Sequence, residues 1–566
     1  MSIRKAAMAV DLDVEMGRPG NGDDVRRRRT RNLTERGVYA FLFFAFAEVA
    51  IQLLSLALSH QPGVTLALSE AVATSFSRPD IVDRDGRLLA TDLEAPSIYA
   101  DPGVVIDRDE LVEKLTTVLP DIDTKDLLKT LSDRSRRFVW VRRGVSPKIA
   151  QMVHDLGLPG LSFRYELKRA YPAGALAGHV LGAVNVDNRG VSGIEKYIDD
   201  KIGVDPVHAA VLSSRAPVRL SLDMGVQHAL EDELDAADKR YKTQGAAGLV
   251  LNIKTGEILA SASLPRVDPT WPSQALDAKH IDRMTGGTYE LGSVFKTLTI
   301  AMAFDEGLAQ PNTMIDVRKP LEVGRFTVTD FHPAGRPLSV TEIYTHSSNV
   351  GAGMLALQAG PEKLEAFLRK FGMLTPLKTE EGTVAAPQVP PAWNRASTIT
   401  VSYGHGIAVA PLQFAAAAAT ILNGGKPVHP TFLRRFDAGA AEGKPLVTEL
   451  TSRRMAQLMR LNVTSPDGTG KEADVPGYRV GGKTGTADVA SHGGYSSKSV
   501  ISSFLGAFPM DDPQYLTFIV LFEPKGTAET HGQHTAGYTA APVTGRLIAR
   551  IAGQLGVEPM NVAASQ

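Results

Sequence analysis

Cysteine is absent from this 566-residue chain, and no charge of one sign is in excess. Without cysteine the protein forms no disulfide and performs no thiol chemistry, which is compatible with an exported protein but does not establish export. The 61 Lys and Arg residues against 62 Asp and Glu residues give a net charge of -1, which argues against a nucleic-acid partner. His531 and His534 have no third ligand at metal spacing, so we expect no metal and no cofactor.

A serine followed three residues later by a lysine opens an apolar segment, Ser293-Val-Phe-Lys296. A serine hydroxyl is a weak nucleophile and needs a neighbouring base. The pattern predicts a helix over 293–304, on which residues i and i+3 share a face, so the Lys296 amine can lie beside the Ser293 hydroxyl. Desolvation there should lower the lysine pKa towards that of a usable base. Alone, such a serine is more often only a helix cap; two further motifs favour catalysis.

The second motif is Ser347-Ser-Asn349, between a predicted helix that ends near Tyr344 and an apolar helix from Val350. Its residue types suit helix capping as well as catalysis, and the two uses are compatible. Ser347 can pass a proton between the nucleophile, the lysine and a leaving amine. Asn349 can hold a substrate amide, because its side chain carries both a donor and an acceptor.

The third motif, Lys-Thr-Gly, occurs twice. The copy at 254–256 lies between two strand-like runs, 248–253 and 257–262, and is predicted to be a hairpin turn. The copy at 483–485 is followed by Thr486 and preceded by two glycines, which permit close approach of the backbone to a ligand. A strand edge carrying a lysine and two threonines can bind a carboxylate, so we assign this copy to the site.

Together the three motifs resemble those of penicillin-binding proteins and serine β-lactamases. Residues 288–297 resemble the nucleophile segment of that family, with Leu291 where proline is usual, and 403–413 resemble the segment behind its active site. Segments at 78–86, 137–142 and 169–195 resemble the three boxes of the non-catalytic module in class B penicillin-binding proteins. The chain thus resembles a class B peptidoglycan D,D-transpeptidase of the division-specific (FtsI) type.

This resemblance implies a mechanism and partners. Ser293 would attack the penultimate D-Ala carbonyl of a stem peptide, Lys296 would accept its proton, and Ser347 would relay a proton to the departing D-Ala. The oxyanion would lie on the backbone N–H groups of Ser293 and Thr486. β-Lactams would trap the serine as covalent inhibitors. Lys483 would anchor the substrate carboxylate, and the remaining substrate-binding residues would be Asn349, Thr484, Gly485 and Thr486.

An apolar run over 38–58 is long enough to cross a bilayer. Six arginines lie between Arg26 and Arg36, and no Lys or Arg follows the run until Arg78, so the tail is predicted to be cytoplasmic and the rest exported. A cleaved signal peptide is the alternative, but the run is long for one and the nearest Ala-x-Ala, at 71–73, lies well beyond its end. We therefore expect a single-pass membrane protein with an exported catalytic domain. The resemblance to the FtsI type implies that the membrane is the inner one, that the catalytic domain is periplasmic and that the protein acts at the division septum.

Glu48 and Gln52 interrupt the apolar run four residues apart, on one helix face. Ionisable groups at that depth usually face another helix, so we predict that they dock a polytopic membrane partner; a protonated glutamate facing lipid is the alternative. In the family that the chain resembles, the partner would be a SEDS-type glycosyltransferase (FtsW type), with other divisome membrane proteins nearby.

The predicted fold class is α+β and multidomain, with a single transmembrane helix, an α+β pedestal and a transpeptidase domain. The transpeptidase domain would be a five-stranded antiparallel sheet flanked by helices, plus a helical subdomain. A strand at 218–222 is expected to open it. The predicted boundaries are a disordered cytoplasmic tail at 1–37, an anchor at 38–58, a pedestal at 59–215 and a transpeptidase domain at 216–566.

Four other functions remain open from the sequence. An elongation-type class B enzyme shares every motif above, and a D,D-carboxypeptidase differs only in using water as the acceptor. A β-lactamase would not need an anchor and a pedestal of over 100 residues. A non-enzymatic β-lactam sensor would not need three intact motifs.

Overall fold

The computed structural model describes Ala47 and residues 77–202, 216–323, 326–436, 443–491 and 494–560. Among these residues we find no helix that is both long and apolar enough for a membrane span. The predicted tail at 1–37 and the predicted anchor at 38–58, with Glu48 and Gln52, lie outside the described residues apart from Ala47.

The amino-terminal region contains a five-stranded sheet with helices on it. Its strands are β1 (Ile81–Val82), β2 (Leu88–Ala100), β3 (Val139–Arg142), β4 (Leu161–Ala170) and β5 (Val218–Arg219). Its helices are α1 (Arg108–Val118), α2 (Thr124–Leu131), α3 (Pro147–Asp155), α4 (Gly178–Leu181) and α5 (Gly193–Tyr197), the last continued by a π-turn, Ile198–Ile202. The long strand β2 organises the sheet, since β1, β3 and β4 all pair with it antiparallel.

The fifth strand of this sheet comes from a segment far along the chain. The strand expected to open the second domain is β5, and it pairs parallel with β1 across 137 residues, Ile81 opposite Val218. The amides of Val218 and Leu220 donate to Asp80 and Val82 at 2.8 Å each. The sequence pattern predicted a strand here but not its partner, because a short apolar run does not specify the strand with which it pairs.

A buried ion network joins the segments that resemble the first and third class B boxes. Arg169 donates through Nε to Glu195 at 2.7 Å and through Nη1 to Asp92 at 3.2 Å, and all three side chains are fully buried. Arg78 reaches the other Glu195 oxygen at 3.0 Å. Because each charge is paired and hydrogen-bonded, the network is tolerated in the interior, whereas removal of one partner would leave a buried charge uncompensated.

The second region is built on another five-stranded sheet. Its strands are β6 (Gly245–Asn252), β7 (Ile258–Leu264), β14 (Gly481–Ser491), β15 (Gly494–Phe508) and β16 (Tyr515–Phe522). Their order in the sheet is β14-β15-β16-β6-β7, and every pair is antiparallel. The antiparallel five-stranded sheet is therefore confirmed, and β14, which carries Lys483, is an edge strand.

Helices cover both faces of this sheet. Val250 and Ile519 pack with Leu230 and Leu547, on helices of one face, whereas Leu249 and Phe518 pack with Phe414 on the other. Neighbouring strand residues thus enter two different cores, which is why these strands read as continuous apolar runs. Burying each such side chain stabilises the fold by about 1.5–3 kcal/mol.

The helices and remaining strands follow in chain order. The helices are α6 (Met224–Tyr241), α7 (Pro272–Ala275), α8 (Lys296–Asp305), α9 (Val340–Thr345), α10 (Asn349–Ala359), α11 (Pro361–Lys370), α12 (Arg395–Ser402), α13 (Pro411–Leu422), α14 (Glu449–Thr464) and α15 (Ala540–Ile551). Short 3-10 turns cover Ala278–His280, Gly292–Phe295 and Lys471–Ala473. Paired two- and three-residue strands are β8 (Met314–Ile315), β9 (Leu321–Val323), β10 (Phe326–Val328), β11 (Leu338–Ser339), β12 (Lys378–Thr379) and β13 (Gly382–Thr383). The insert between α8 and α14 is mainly but not purely helical, as these strands show.

Candidate active site

The predicted nucleophile lies on a tight turn against the edge of the second sheet. Ser293 is in the 3-10 turn Gly292–Phe295, and Lys296 begins α8, so the expected helix from 293 starts three residues later. In a 3-10 turn residues i and i+3 eclipse, which brings the Lys296 Nζ to 2.9 Å from the Ser293 Oγ. The predicted pairing of this serine and lysine is therefore present in the geometry.

Three glycines let the backbones meet at this turn. Gly292 has φ +62, and a Cβ on it would lie 2.7 Å from the Thr486 carbonyl oxygen on β14. A Cβ on Gly485 would lie 2.6 Å from the Leu291 carbonyl oxygen, and one on Gly404 would lie 2.2 Å from that of Gly292. The segment 403–413 was predicted to lie behind the site, and Gly404 does so directly. Only residues without a side chain permit this approach.

The Lys296 amine is the centre of the site. It is fully buried and contacts the Ser293 hydroxyl, the Ser347 backbone oxygen, the Ser347 Oγ at 3.1 Å and the Asn349 Oδ1 at 2.7 Å. The Ser347 carbonyl and the Asn349 Oδ1 only accept hydrogen bonds, so they use two N–H groups of the amine. A neutral amine then directs its lone pair towards a hydroxyl, which is the arrangement that a general base requires.

Burial supplies that neutral form. Desolvation, followed by repulsion from the nearby Lys483, holds the pKa of Lys296 well below its ordinary value, while Asp330 acts in the opposite direction. Burial also lowers the pKa of Lys483 to about 7. The two amines share one neighbour, since the Lys483 Nζ lies 2.9 Å from the same Ser347 Oγ. The Ser347 hydroxyl therefore bridges both lysines.

The structure thus brings together the residues of all three motifs: Ser293, Lys296, Ser347, Asn349 and Lys483. Ser347 has a left-handed backbone, φ +61, which is uncommon for a residue with a side chain and is often found at functional sites. The other three predicted residues follow Lys483 on β14: Thr484 is buried, Gly485 faces the nucleophile turn, and the half-buried Thr486 accepts a hydrogen bond from the Ala536 amide at 3.2 Å.

The Lys-Thr-Gly copy at 254–256 is a turn, as predicted. It connects β6 and β7, with φ +76 at Gly256, and Lys254 forms an exposed ion pair with Asp512 at 2.7 Å. It takes no part in the cluster around Ser293.

One supporting residue has no signal in the sequence. The Asp330 carboxylate accepts from the Ser348 hydroxyl at 2.6 Å and from the Val350 amide at 2.9 Å. It therefore fixes the Ser347–Asn349 turn from a separate segment that follows β10. No spacing rule connects an aspartate with a turn 18 residues later, so only the folded chain identifies it.

Two family models match this chain. The penicillin binding protein transpeptidase domain matches residues 246–549, more than half of the sequence. The chain belongs to the penicillin-binding proteins. The penicillin-binding protein dimerisation domain matches residues 74–204, so this family member combines the two modules that the sequence motifs predicted.

Named relatives agree with this assignment along most of the chain. A probable peptidoglycan D,D-transpeptidase FtsI of Caulobacter vibrioides is 37% identical over 529 residues, covering 92% of this chain and 88% of the relative. A probable peptidoglycan D,D-transpeptidase PenA of Neisseria gonorrhoeae is 30% identical, covering 86% of each chain. Peptidoglycan D,D-transpeptidase FtsI of Escherichia coli is 28% identical, covering 86% of this penicillin-binding protein and 85% of its own length.

Proposed function

We propose that this penicillin-binding protein is a peptidoglycan D,D-transpeptidase that forms an acyl-enzyme on Ser293 and crosslinks stem peptides at the division septum. The observation that carries the proposal is the buried Lys296 amine, 2.9 Å from the Ser293 Oγ and held by acceptors on its other side. The names of the relatives support the substrate and the septal role.

The first half of the reaction uses the two amines in opposite protonation states. Neutral Lys296 accepts the proton as the Ser293 Oγ bonds to the penultimate D-Ala carbonyl carbon. The oxyanion lies on the backbone N–H groups of Ser293 and Thr486. Protonated Lys483, with Thr484 and Thr486, holds the terminal carboxylate, and Asn349 holds the peptide. When the peptide bond breaks, the Ser347 hydroxyl relays the proton from Lys296, 3.1 Å away, to the amine of the departing D-Ala.

In the second half, an amine of a neighbouring stem peptide attacks the acyl-serine carbonyl carbon. The ester bond to the Ser293 Oγ breaks as the new amide forms, and a proton from that amine returns to the Ser293 Oγ. A β-lactam enters as a mimic of the donor peptide. Its ring opens on Ser293, the leaving amine stays attached, and the acyl-enzyme persists.

We place the catalytic region outside the cytoplasm, on a single inner-membrane anchor at 38–58, with the pedestal at 59–215 and the transpeptidase domain at 216–566. Glu48 and Gln52 of the anchor would contact a SEDS-type glycosyltransferase, beside other divisome membrane proteins. The charge asymmetry around the apolar run supports this topology.

Fluorescent-penicillin labelling of the full-length protein in membranes, combined with depletion and rescue in cells, tests the proposal. Ser293→Ala should abolish labelling and fail to rescue, and depleted cells should form filaments. Lys483→Ala should reduce labelling strongly, whereas Lys254→Ala, in the other Lys-Thr-Gly copy, should label as the wild type does. If Ser293→Ala were still labelled, Ser293 would not be the nucleophile. If the depleted cells became round and did not form filaments, the septal role would be wrong.

A further inference from the structure

Asn462 is a fully buried polar residue on α14 that the reaction above does not use. Its Nδ2 donates to the Gly482 carbonyl on β14 at 2.9 Å. Its Oδ1 accepts from the Thr469 amide at 3.2 Å and from the Thr469 hydroxyl at 3.0 Å. Because one backbone carbonyl and one backbone amide hold its two ends, the orientation of the Asn462 amide is fixed.

The fixed Asn462 amide determines in which direction the hydroxyl hydrogens of Thr469 and Thr484 point. Thr469 has one hydroxyl hydrogen, and it is donated to Asn462, so the Thr469 oxygen can only accept from its next neighbour. That neighbour is the Thr484 hydroxyl, 2.7 Å away. Thr484 must therefore donate to Thr469, and its lone pairs are left for the Lys483 Nζ, 3.4 Å away.

This arrangement gives the Lys483 ammonium an oxygen acceptor for each of its three hydrogens: the Ser347 Oγ at 2.9 Å, the Thr484 carbonyl at 3.3 Å and the Thr484 Oγ1 at 3.4 Å. The titratable groups that face this amine in the described part of the chain are Lys296, across Ser347, and Tyr344, whose ring centroid is 5.6 Å away. Neither is an anion at neutral pH, so neutral oxygens are what stabilise the charge.

We propose that Thr469, oriented by Asn462, is a positioning residue of this active site: it takes the Thr484 hydroxyl hydrogen and so keeps the Thr484 lone pairs directed at the Lys483 ammonium. The inference rests on the proposed function, in which protonated Lys483 binds the substrate carboxylate. If Thr469 could not accept, the Thr484 hydroxyl would turn its hydrogen towards Lys483 and disfavour the charged amine.

The test compares Thr469→Val, which removes the acceptor, with Thr469→Ser, which keeps it. Thr464→Val is the matched control, because Thr464 is exposed at the end of α14, the helix that carries Asn462, and its hydroxyl donates to the Arg460 carbonyl of the same helix. Full-length variants are assayed for the second-order acylation rate with benzylpenicillin and with its methyl ester, across pH, and for thermal unfolding. We test the two substitutions at Thr469 and not one at Asn462, because replacing Asn462 would also leave the Gly482 carbonyl without its hydrogen bond.

We expect Thr469→Val to slow acylation by benzylpenicillin about 10-fold, since a hydrogen bond to a charged group contributes modestly at this distance. The decrease in acylation rate should be smaller with the methyl ester, because the ester has no carboxylate for Lys483 to bind. The alkaline limb of the pH profile of acylation should move to lower pH in Thr469→Val. Thr469→Ser and Thr464→Val should match the wild type.

The proposal would be overturned if Thr469→Val slowed acylation equally by benzylpenicillin and by its methyl ester, or did not slow it at all. It would also be overturned if the slower acylation were accompanied by a lower unfolding temperature. Those outcomes leave the proposed function intact. Failure of the proposed function has a separate signature, because the wild type would then not be acylated, or Ser293→Ala would still be.

Discussion

Gly485→Ala tests whether the closeness of β14 to the nucleophile turn is needed for catalysis. The added Cβ would lie 2.6 Å from the Leu291 carbonyl oxygen, about 0.8 Å inside the 3.4 Å at which ordinary contact begins. It would also lie 2.4 Å from the Ser503 Oγ, which can rotate away, whereas the Leu291 oxygen belongs to the backbone. Strand β14 and the turn that holds Ser293 must therefore move apart by about 0.8 Å.

The expected effect is large on rate and moderate on stability. Leu291 immediately precedes the turn that holds Ser293, so the separation moves the nucleophile away from the groups on β14. A displacement of about 1 Å lowers rates on the order of 100-fold, while overpacking destabilises by about 1–3 kcal/mol. The variant should therefore fold and bind penicillin covalently, but about 100 times more slowly.

The assay is the second-order rate of labelling by fluorescent penicillin, with thermal unfolding of the same preparation. Gly553→Ala is the control, because a Cβ there meets no atom within 4 Å. If Gly485→Ala were acylated within about threefold of the wild type, the close approach would have no catalytic role and the reasoning from displacement would be wrong.

Two further predictions concern charge. Acylation should have a bell-shaped pH dependence, rising as Lys296 loses its proton and falling as Lys483, with a pKa of about 7, loses its own; a rate that climbs steadily to the ordinary lysine pKa would contradict this. Arg169→Ala should lower the free energy of unfolding of the full-length protein by about 3–5 kcal/mol, because it leaves the buried Asp92 carboxylate without its ion-pair partner and removes one of the two arginines that pair with Glu195. The exposed Arg137→Ala should lower it by less than about 1 kcal/mol, and equal effects in urea unfolding would refute the stabilising role of the network.

Local patterns predicted much of the second region. The strand-like runs predicted at 248–253 and 257–262 correspond to β6 and β7, because apolar segments bounded by turn residues specify their own conformation. The turn at Lys254 was also predicted correctly, since flanking strands and a glycine define it. The strand that pairs with β5 was not predicted, because pairing depends on residues far away in the chain.

In the active site, too, contacts between residues close in sequence were predictable, and contacts between distant segments were not. Ser293 and Lys296 are three residues apart, so their contact follows from local geometry. The approach of Asp330 to Ser348 depends on how separate segments pack, and no pattern in either segment encodes it. The orientation of the Thr484 hydroxyl depends on Asn462 and Thr469, which join the site only after α14 packs against β14.

The parallel pairing of β1 with β5 has a mechanical consequence. If the chain is tethered before Ser77, the part of the tension that is not taken up by the ion pairs of Arg78 enters β1 at its first residue, while the catalytic region pulls on β5 at its last. Parallel strands pulled in this way slide along each other, so their hydrogen bonds are loaded together in shear instead of opening one after another. The amides of Val218 and Leu220, bonded to Asp80 and Val82, share that load. A force applied between tether and catalytic region is thus shared. The pairing of β1 with β5 carries part of it past the 135 residues between Val82 and Val218, and the ion pair of Arg78 with Glu195 carries the rest into that segment.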